Sequence, residues 1–182
     1  MEKILRIAMF VFGLVLVVLS IQTIVTTKFT GLKASTLSDS DKVVTAKTRE
    51  RQLDCLAKNI YYEAGNESFE GKVAVAQVTM NRSESGRFPT DICAVVYQKT
   101  VFIEKVVCQF SWYCLNRGSL SVRSPESYDE SYAVAKKVLL EGFRLDMLKT
   151  AMYYHADYVN PNWGKEKVGK IGHHIFYKEN KL

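Results

Sequence analysis

The sequence sets a single carboxylate in an aromatic stretch, Asn59-Ile60-Tyr61-Tyr62-Glu63-Ala64-Gly65. A carboxylic acid among apolar and aromatic side chains loses hydration of its charged form. Its pKa then rises toward the range where it can donate a proton near neutral pH. That is the general-acid half of glycosidic bond cleavage. An ordinary glycosidase adds a second carboxylate at a defined distance, as nucleophile or as base for water. Glu67 and Glu70 lie nearby, and Asp91 and Asp157 further along, but none has a comparably aromatic context. On these residues alone, a helix-end carboxylate at the surface stands ahead of a catalytic acid.

His155, His173 and His174 raise a metal reading. Adjacent residues on a strand point to opposite faces, which makes joint ligation by the last two awkward, and there is no H-E-x-x-H arrangement. Structural or sugar-binding histidines are expected, with no metal and no cofactor. The four cysteines, Cys55, Cys93, Cys108 and Cys114, form no CxxC pair. In a domain outside the cytoplasm they permit two disulfides in three possible connectivities; reduced core cysteines are the alternative. A bridge from Cys55 would pin the segment that carries Glu63.

These groups need elements to position them. A chain of 182 residues is enough for one domain with a real core once a membrane segment and a linker are set aside. Residues 7–25, IAMFVFGLVLVVLSIQTIV, carry no charge over about the length that crosses a bilayer. With Glu2, Lys3 and Arg6 ahead of them and no clear A-x-A site behind, residues 1–27 read as an uncleaved signal anchor, a single transmembrane helix, with a cleaved signal peptide as the alternative. Lys28 and Lys33 nearly balance Lys3 and Arg6, so the positive-inside count barely orients it. Residues 28–50, polar and without sustained periodicity, read as a flexible linker, and residues 51–182 as the domain. The net charge of +6 points to an anionic environment. The basic residues are intermixed with acids and form no recognition motif, so no nucleic acid partner is expected.

Within the domain, RQLDCLAKNIYYEA has apolar residues on one helical face. Glu63 falls at the edge of that face, and Gly65 is expected to stop the helix. Ser68 is placed to cap SFEGKVAVAQVTMNRSES, whose apolar interior predicts a central core helix. TDICAVVYQ reads as a short helix, and Ser124-Pro125 opens another that ends at Gly142. Residues 101–118 carry no clear pattern. TAMYYHADYV and GHHIFYK predict an antiparallel hairpin across Asn160-Pro161-Asn162-Trp163-Gly164. The class is α+β, mainly helical with a small antiparallel sheet.

Several ordered motifs then coincide. YYEAGNESFEGKVAVAQVTMNR, RFPTDICAVVYQ, CQFSWYC, AMYYHADYVNPNW and KIGHHIFYK together resemble the cell wall hydrolases related to SleB and CwlJ, the spore cortex-lytic enzymes. The resemblance covers nearly all of residues 53–178. Asn66, where the family commonly has arginine, and Gln77, inside the alanine-rich helix, are departures. The resemblance implies a lysozyme-like or lytic-transglycosylase-like domain that cleaves peptidoglycan between N-acetylmuramic acid and N-acetylglucosamine. It also implies that Glu63 is the catalytic acid. In a lytic transglycosylase the muramic acid's own C6 hydroxyl attacks the anomeric carbon, so a single Glu serves as acid and then base. That outcome is favoured over a water-using muramidase and over a non-catalytic, membrane-anchored wall-binding module. Tyr62, Gln109, Ser111, Trp112, Tyr154 and His155 are the candidates for substrate binding, with Tyr61 assigned to core packing and Trp112 open to either role. Peptidoglycan as the partner places the N-terminus inside the cytoplasmic membrane and the catalytic domain outside.

Overall fold

The computed structural model describes residues 1–37, 46–103, 105–115 and 121–180. The chain divides into two units, residues 1–43 and 44–182. The first is one helix, α1 (Glu2–Leu37). Its stretch Glu2–Thr26 is long and apolar enough to cross a membrane and is exposed along its length. Of the linker expected over residues 28–50, the structure continues α1 to Leu37 and opens the next helix at Ala46; residues 38–45 lie outside those described. Once a helix is nucleated, each added residue gains a hydrogen bond, so propagation past the apolar stretch is favourable even for polar residues.

The second unit runs α2 (Ala46–Ala64), α3 (Phe69–Glu84), α4 (Ile92–Val96), β1 (Lys99–Phe102), β2 (Lys105–Cys108), α5 (Ser111–Leu115), α6 (Pro125–Leu139), a 3-10 turn at Asp146–Leu148, β3 (Tyr153–Ala156), β4 (Glu166–Ile171) and β5 (His174–Lys178). Three helices start on side-chain caps, at Ser68 and Ser124 as the sequence leads one to expect and at Asp91 beyond that expectation. The Ser68 hydroxyl accepts from Gly71 N at 3.3 Å, the Asp91 carboxylate from Ala94 N at 3.0 Å, and the Ser124 hydroxyl from Ser127 N at 3.4 Å, with Pro125 in the first turn of α6. Each satisfies an amide that the helix itself leaves unpaired.

α3 is the centre of the domain, buried from Gly71 to Ser83. Its Val73, Ala76 and Met80 pack with Leu56 and Ile60 of α2 and with Val134 and Val138 of α6. Its Ala74 and Val78 pack on the other side against Leu148, Ala151 and Phe176. A helix between two layers must be apolar nearly all round, which accounts for VAVAQVTM. Truncating Leu56, wholly buried in the first layer, to Ala would cost about 2–5 kcal/mol.

The C-terminal sheet corrects the predicted hairpin. β3 and β5 do pair antiparallel, Tyr154 opposite Phe176 and His155 opposite Ile175, but they are not consecutive. β4 lies between them in sequence and pairs with β5 on its other side, giving the order β3-β5-β4. The intervening EKVGKI hides its strand because three of its six residues are charged and Gly169 follows a register shift. Of residues 101–118, which carry no clear pattern in sequence, those described form most of the hairpin β1-β2 and the short α5.

Candidate active site

Glu63 lies on the last turn of α2, one residue before the helix ends. Gly65 follows because a Cβ there would meet the Tyr61 carbonyl oxygen at 2.5 Å; close approach, rather than a left-handed backbone, demands glycine. The Gly65 carbonyl accepts the Ser127 hydroxyl at 3.1 Å, which ties this helix end to α6. Cys55 of α2 is bridged to Cys93 of α4, and Cys108 to Cys114, which selects one of the three connectivities.

The Glu63 carboxylate accepts the Tyr154 hydroxyl at 2.9 Å. Burial pushes the Glu63 carboxyl above the usual carboxylate range, against the opposing pull of the Tyr154 hydrogen bond and the nearby positive charge of Arg82. Burial likewise holds the Tyr154 hydroxyl protonated, well above its ordinary value, with the Glu63 charge acting in the same direction.

Tyr154 is delivered by polar residues of α3 that hold the segment leading into β3. Gln77 pairs with both backbone groups of Leu145, donating to its carbonyl at 3.0 Å and accepting from its amide at 2.7 Å. Asn81 donates to the carbonyls of Leu148 and Ala151, each at 2.8 Å. Arg82 donates from Nε to the carbonyl of Met152 at 2.8 Å. Backbone groups buried in a bend need partners, and these side chains supply them. Gln77, a departure from the family pattern, therefore has a structural task.

The groove beside Glu63 has a volume of about 620 Å³. Tyr61, Tyr62, Glu63 and Asn66 line it from α2 and the loop that follows, Arg123 and Ser127 from the start of α6, and Glu67, His173 and His174 from the far wall. Tyr61, expected in the core, lines this groove instead. Its hydroxyl accepts the amides of Arg123 and Ser124, each at 3.1 Å, so its polar end is spent on the approach to α6. The Tyr62 ring stacks on Trp112 at 4.7 Å between centroids.

Glu67 is the residue that sequence reasoning passed over. Its carboxylate accepts the His173 ring Nδ1–H at 2.9 Å and the His173 amide at 3.3 Å, and its side chain is 10% exposed. Gly172, at φ +55, lies so close that a Cβ would run into the Glu67 carboxylate. His173 is in the turn and only His174 belongs to the strand, so the expected opposition of two strand histidines does not arise. The His174 ring is buried, lies 5.2 Å edge-on from Tyr154, and keeps its Nδ1 unpaired, 3.9 Å from Glu67. Burial pulls the His174 pKa down despite the Glu67 charge. The readable signals were the spacing of Glu67 four residues after Glu63 and a turn glycine directly before two histidines.

The other substrate-binding candidates lie elsewhere. Trp112 is buried beneath Tyr62, where its indole N–H donates to Asn59 Oδ1 at 3.1 Å, itself bonded to Thr79. A buried indole needs such a partner, and packing explains its position fully. With its amide oxygen toward Arg82, Gln109 accepts from both terminal guanidinium nitrogens at 3.0 and 3.2 Å, so it supports the cation near Glu63. Ser111 is exposed at the start of α5 and is not part of the groove wall. His155 is directed by strand alternation away from the side of Tyr154. It stacks on Tyr177 at 5.2 Å and bonds to its hydroxyl at 2.9 Å. Of the candidates, the structure brings Glu63, Tyr62 and Tyr154 together.

Comparison with known proteins agrees with this architecture. The family model described as Cell Wall Hydrolase matches residues 66–177, starting three positions after Glu63. The chain belongs to this cell wall hydrolase family. It is 28% identical to the spore cortex-lytic enzyme of Bacillus subtilis (strain 168) over 129 residues, 66% of this chain and 35% of that protein. It is 27% identical to a spore cortex-lytic enzyme of Bacillus cereus over 137 residues, 71% of this chain and 45% of that protein. The chain thus spans between a third and a half of the length of these relatives. The crystal structure of the catalytic domain of the Bacillus cereus SleB protein superposes with a TM-score of 0.51 at 24% identity, covering 71% of this chain and 91% of that one. The catalytic domain of the germination-specific lytic transglycosylase SleB from Bacillus anthracis gives 0.51 at 25% identity, covering 70% and 93%. The mainly helical fold with small sheets is that of the SleB catalytic domain.

Proposed function

We propose that the protein cleaves peptidoglycan glycan strands between N-acetylmuramic acid and N-acetylglucosamine as a lytic transglycosylase on a lysozyme-like domain, with Glu63 as the single acid and base. The observation that carries this reading is the Glu63 carboxyl itself, raised in pKa by burial, oriented by Tyr154 and open to a groove. Protonated Glu63 donates its proton to the glycosidic oxygen as the bond from that oxygen to C1 of muramic acid breaks. The C6 hydroxyl of the same muramic acid then bonds to C1 and returns its proton to Glu63. The product is a 1,6-anhydro ring, no water is consumed, and the acid is regenerated. Tyr154 holds the carboxyl through both steps, and Tyr62 offers a ring at the groove wall for sugar stacking.

Glu67 favours this outcome over direct hydrolysis. It is the second carboxylate in the groove, but its oxygens already accept from the amide and ring of His173, so lone pairs that a base would turn to water are in use. The name of the Bacillus anthracis relative as a lytic transglycosylase adds support. Residues 1–27 serve as the membrane anchor, with the N-terminus inside and the catalytic domain, which opens with α2 at Ala46, on the wall side. Two disulfides are in keeping with that oxidising side.

The test is digestion of purified peptidoglycan by the full-length protein and by Glu63→Gln, with soluble products identified by mass. Anhydro ends that fall about 10²–10⁴-fold in the variant are expected from loss of a general acid. Hydrated reducing ends would instead make the protein a water-using muramidase with Glu67 as the base to examine. An undiminished rate in the variant would remove Glu63 from the chemistry.

A further inference from the structure

The β1-β2 hairpin is the part of the domain with least to hold it. Among the described residues its strands pair only with each other, Val101 opposite Val106 and Thr100 opposite Val107, and its main contact with the rest of the domain is α5. Opposed residues of an antiparallel pair share a face. One face thus carries Lys99, Val101 and Val106, the other Thr100, Lys105 and Val107. Both are exposed: Val101 is 70% accessible, and Val106 and Val107 are exposed as well. At the turn Ile103 is fully accessible at φ +45, a backbone region that a β-branched residue seldom adopts. The Cys108–Cys114 bridge ties the hairpin base to α5, whose last residue, Leu115, is also exposed.

A folded domain gains nothing from four apolar side chains displayed on a projecting ribbon, and a wall polymer, rich in hydroxyls and charges, offers them no apolar phase. Another part of the same chain, the apolar stretch Glu2–Thr26, is suited to a bilayer. The segment 99–107 carries two lysines, Lys99 and Lys105, against one glutamate, a balance suited to anionic headgroups.

We propose that the β1-β2 hairpin is a second membrane contact, which dips Ile103 and its neighbouring valines into the interface of an anionic bilayer. An exposed apolar ribbon with a lysine on each strand, Lys99 and Lys105, is a composition that lies in the headgroup boundary rather than across the membrane. This rests on the reading of residues 1–27 as an anchor, and it is independent of the chemistry at Glu63.

The experiment uses the full-length protein reconstituted in vesicles of phosphatidylcholine and phosphatidylglycerol, with and without bromine on the acyl chains. Ile103→Trp, at a fully exposed position, introduces a reporter whose signal is read as the difference from the parent protein. The added fluorescence is expected to be blue-shifted and to be quenched by brominated lipid, as for an indole at the acyl boundary. Added fluorescence that is indifferent to bromine overturns the proposal. A blue shift that depends on the protein-to-lipid ratio and not on bromine would assign the hairpin to a second copy of the chain, and also overturns it. Protein that fails to float with the vesicles would remove the anchor reading and the proposal together, while glycan cleavage in solution would stand untouched.

Discussion

The hydroxyl of Tyr154 donates to the carboxylate of Glu63 at 2.9 Å, across 91 positions of sequence. The bond joins the end of α2 to the strand β3, two elements that meet because both dock on α3. The proton donor is therefore a property of the assembled domain.

Replacing Tyr154 with Phe keeps the ring and removes the donor. A hydrogen bond to a charged group contributes about 1.5–3 kcal/mol, so kcat on peptidoglycan should fall roughly ten- to a hundredfold. The bond favours the ionised carboxylate, and its loss lets burial raise the Glu63 pKa further. The alkaline limb of the pH–rate profile should accordingly move to higher pH in Tyr154→Phe. A limb that stays in place or moves down would show that Tyr154 does not act on this carboxyl.

Glu63 also makes stability depend on pH. Its folded pKa is raised, so the folded state holds the proton more firmly than the unfolded chain. The native state is unpenalised below the ordinary carboxylate value of 4.5 and loses stability as pH rises from there through the raised folded value. Glu63→Gln, which cannot ionise but still accepts from Tyr154, should therefore raise Tm at neutral pH, with a difference that shrinks toward zero below the usual carboxylate range. Thermal melts of both proteins across that interval test this, and a variant that melts below the parent at neutral pH would contradict it.

The Cys55–Cys93 bridge closes a separation of 38 residues between α2 and α4. By the chain-entropy relation a loop of that length is worth about 4 kcal/mol, against roughly 2 kcal/mol for the short Cys108–Cys114 loop. The paired substitution Cys55→Ala, Cys93→Ala should thus lower Tm well beyond Cys108→Ala, Cys114→Ala. It should also reduce activity below its own melting range, since Cys55 and Glu63 share a helix. Equal losses from the two double variants, in denaturant melts and turnover alike, would deny the longer bridge this role.

What could be read in the sequence was local. The helix starts at Ser68 and Ser124 act within three residues of themselves, and the apolar run of α3 announces a helix buried on every side. Glu63 draws notice by its aromatic neighbours in sequence, but it is the family resemblance that marks it as the acid, and its partner Tyr154 lies 91 positions away. Other relationships are long-range, and no periodicity encodes them. Gln77 finds Leu145, Asn81 finds Ala151, and Glu67 finds His173 only after the chain has closed. Trp112 and Gln109 looked like groove residues because their types suit sugars, yet the same indole N–H and amide satisfy Asn59 and Arg82 from within. β4 escaped notice because its lysines are tolerated where the strand is solvent-facing.

The turn at Gly172 bears on how the gene can vary. The backbone there is left-handed and lies against a carboxylate that is already held by the next residue, so position 172 has no room for a Cβ. Every missense change of a glycine codon adds one. A mutational library selected for activity should return only glycine at this codon, as at Gly65, whereas Gly142 and Gly164, left-handed but with open surroundings, should accept at most residues such as Asn that tolerate a positive φ.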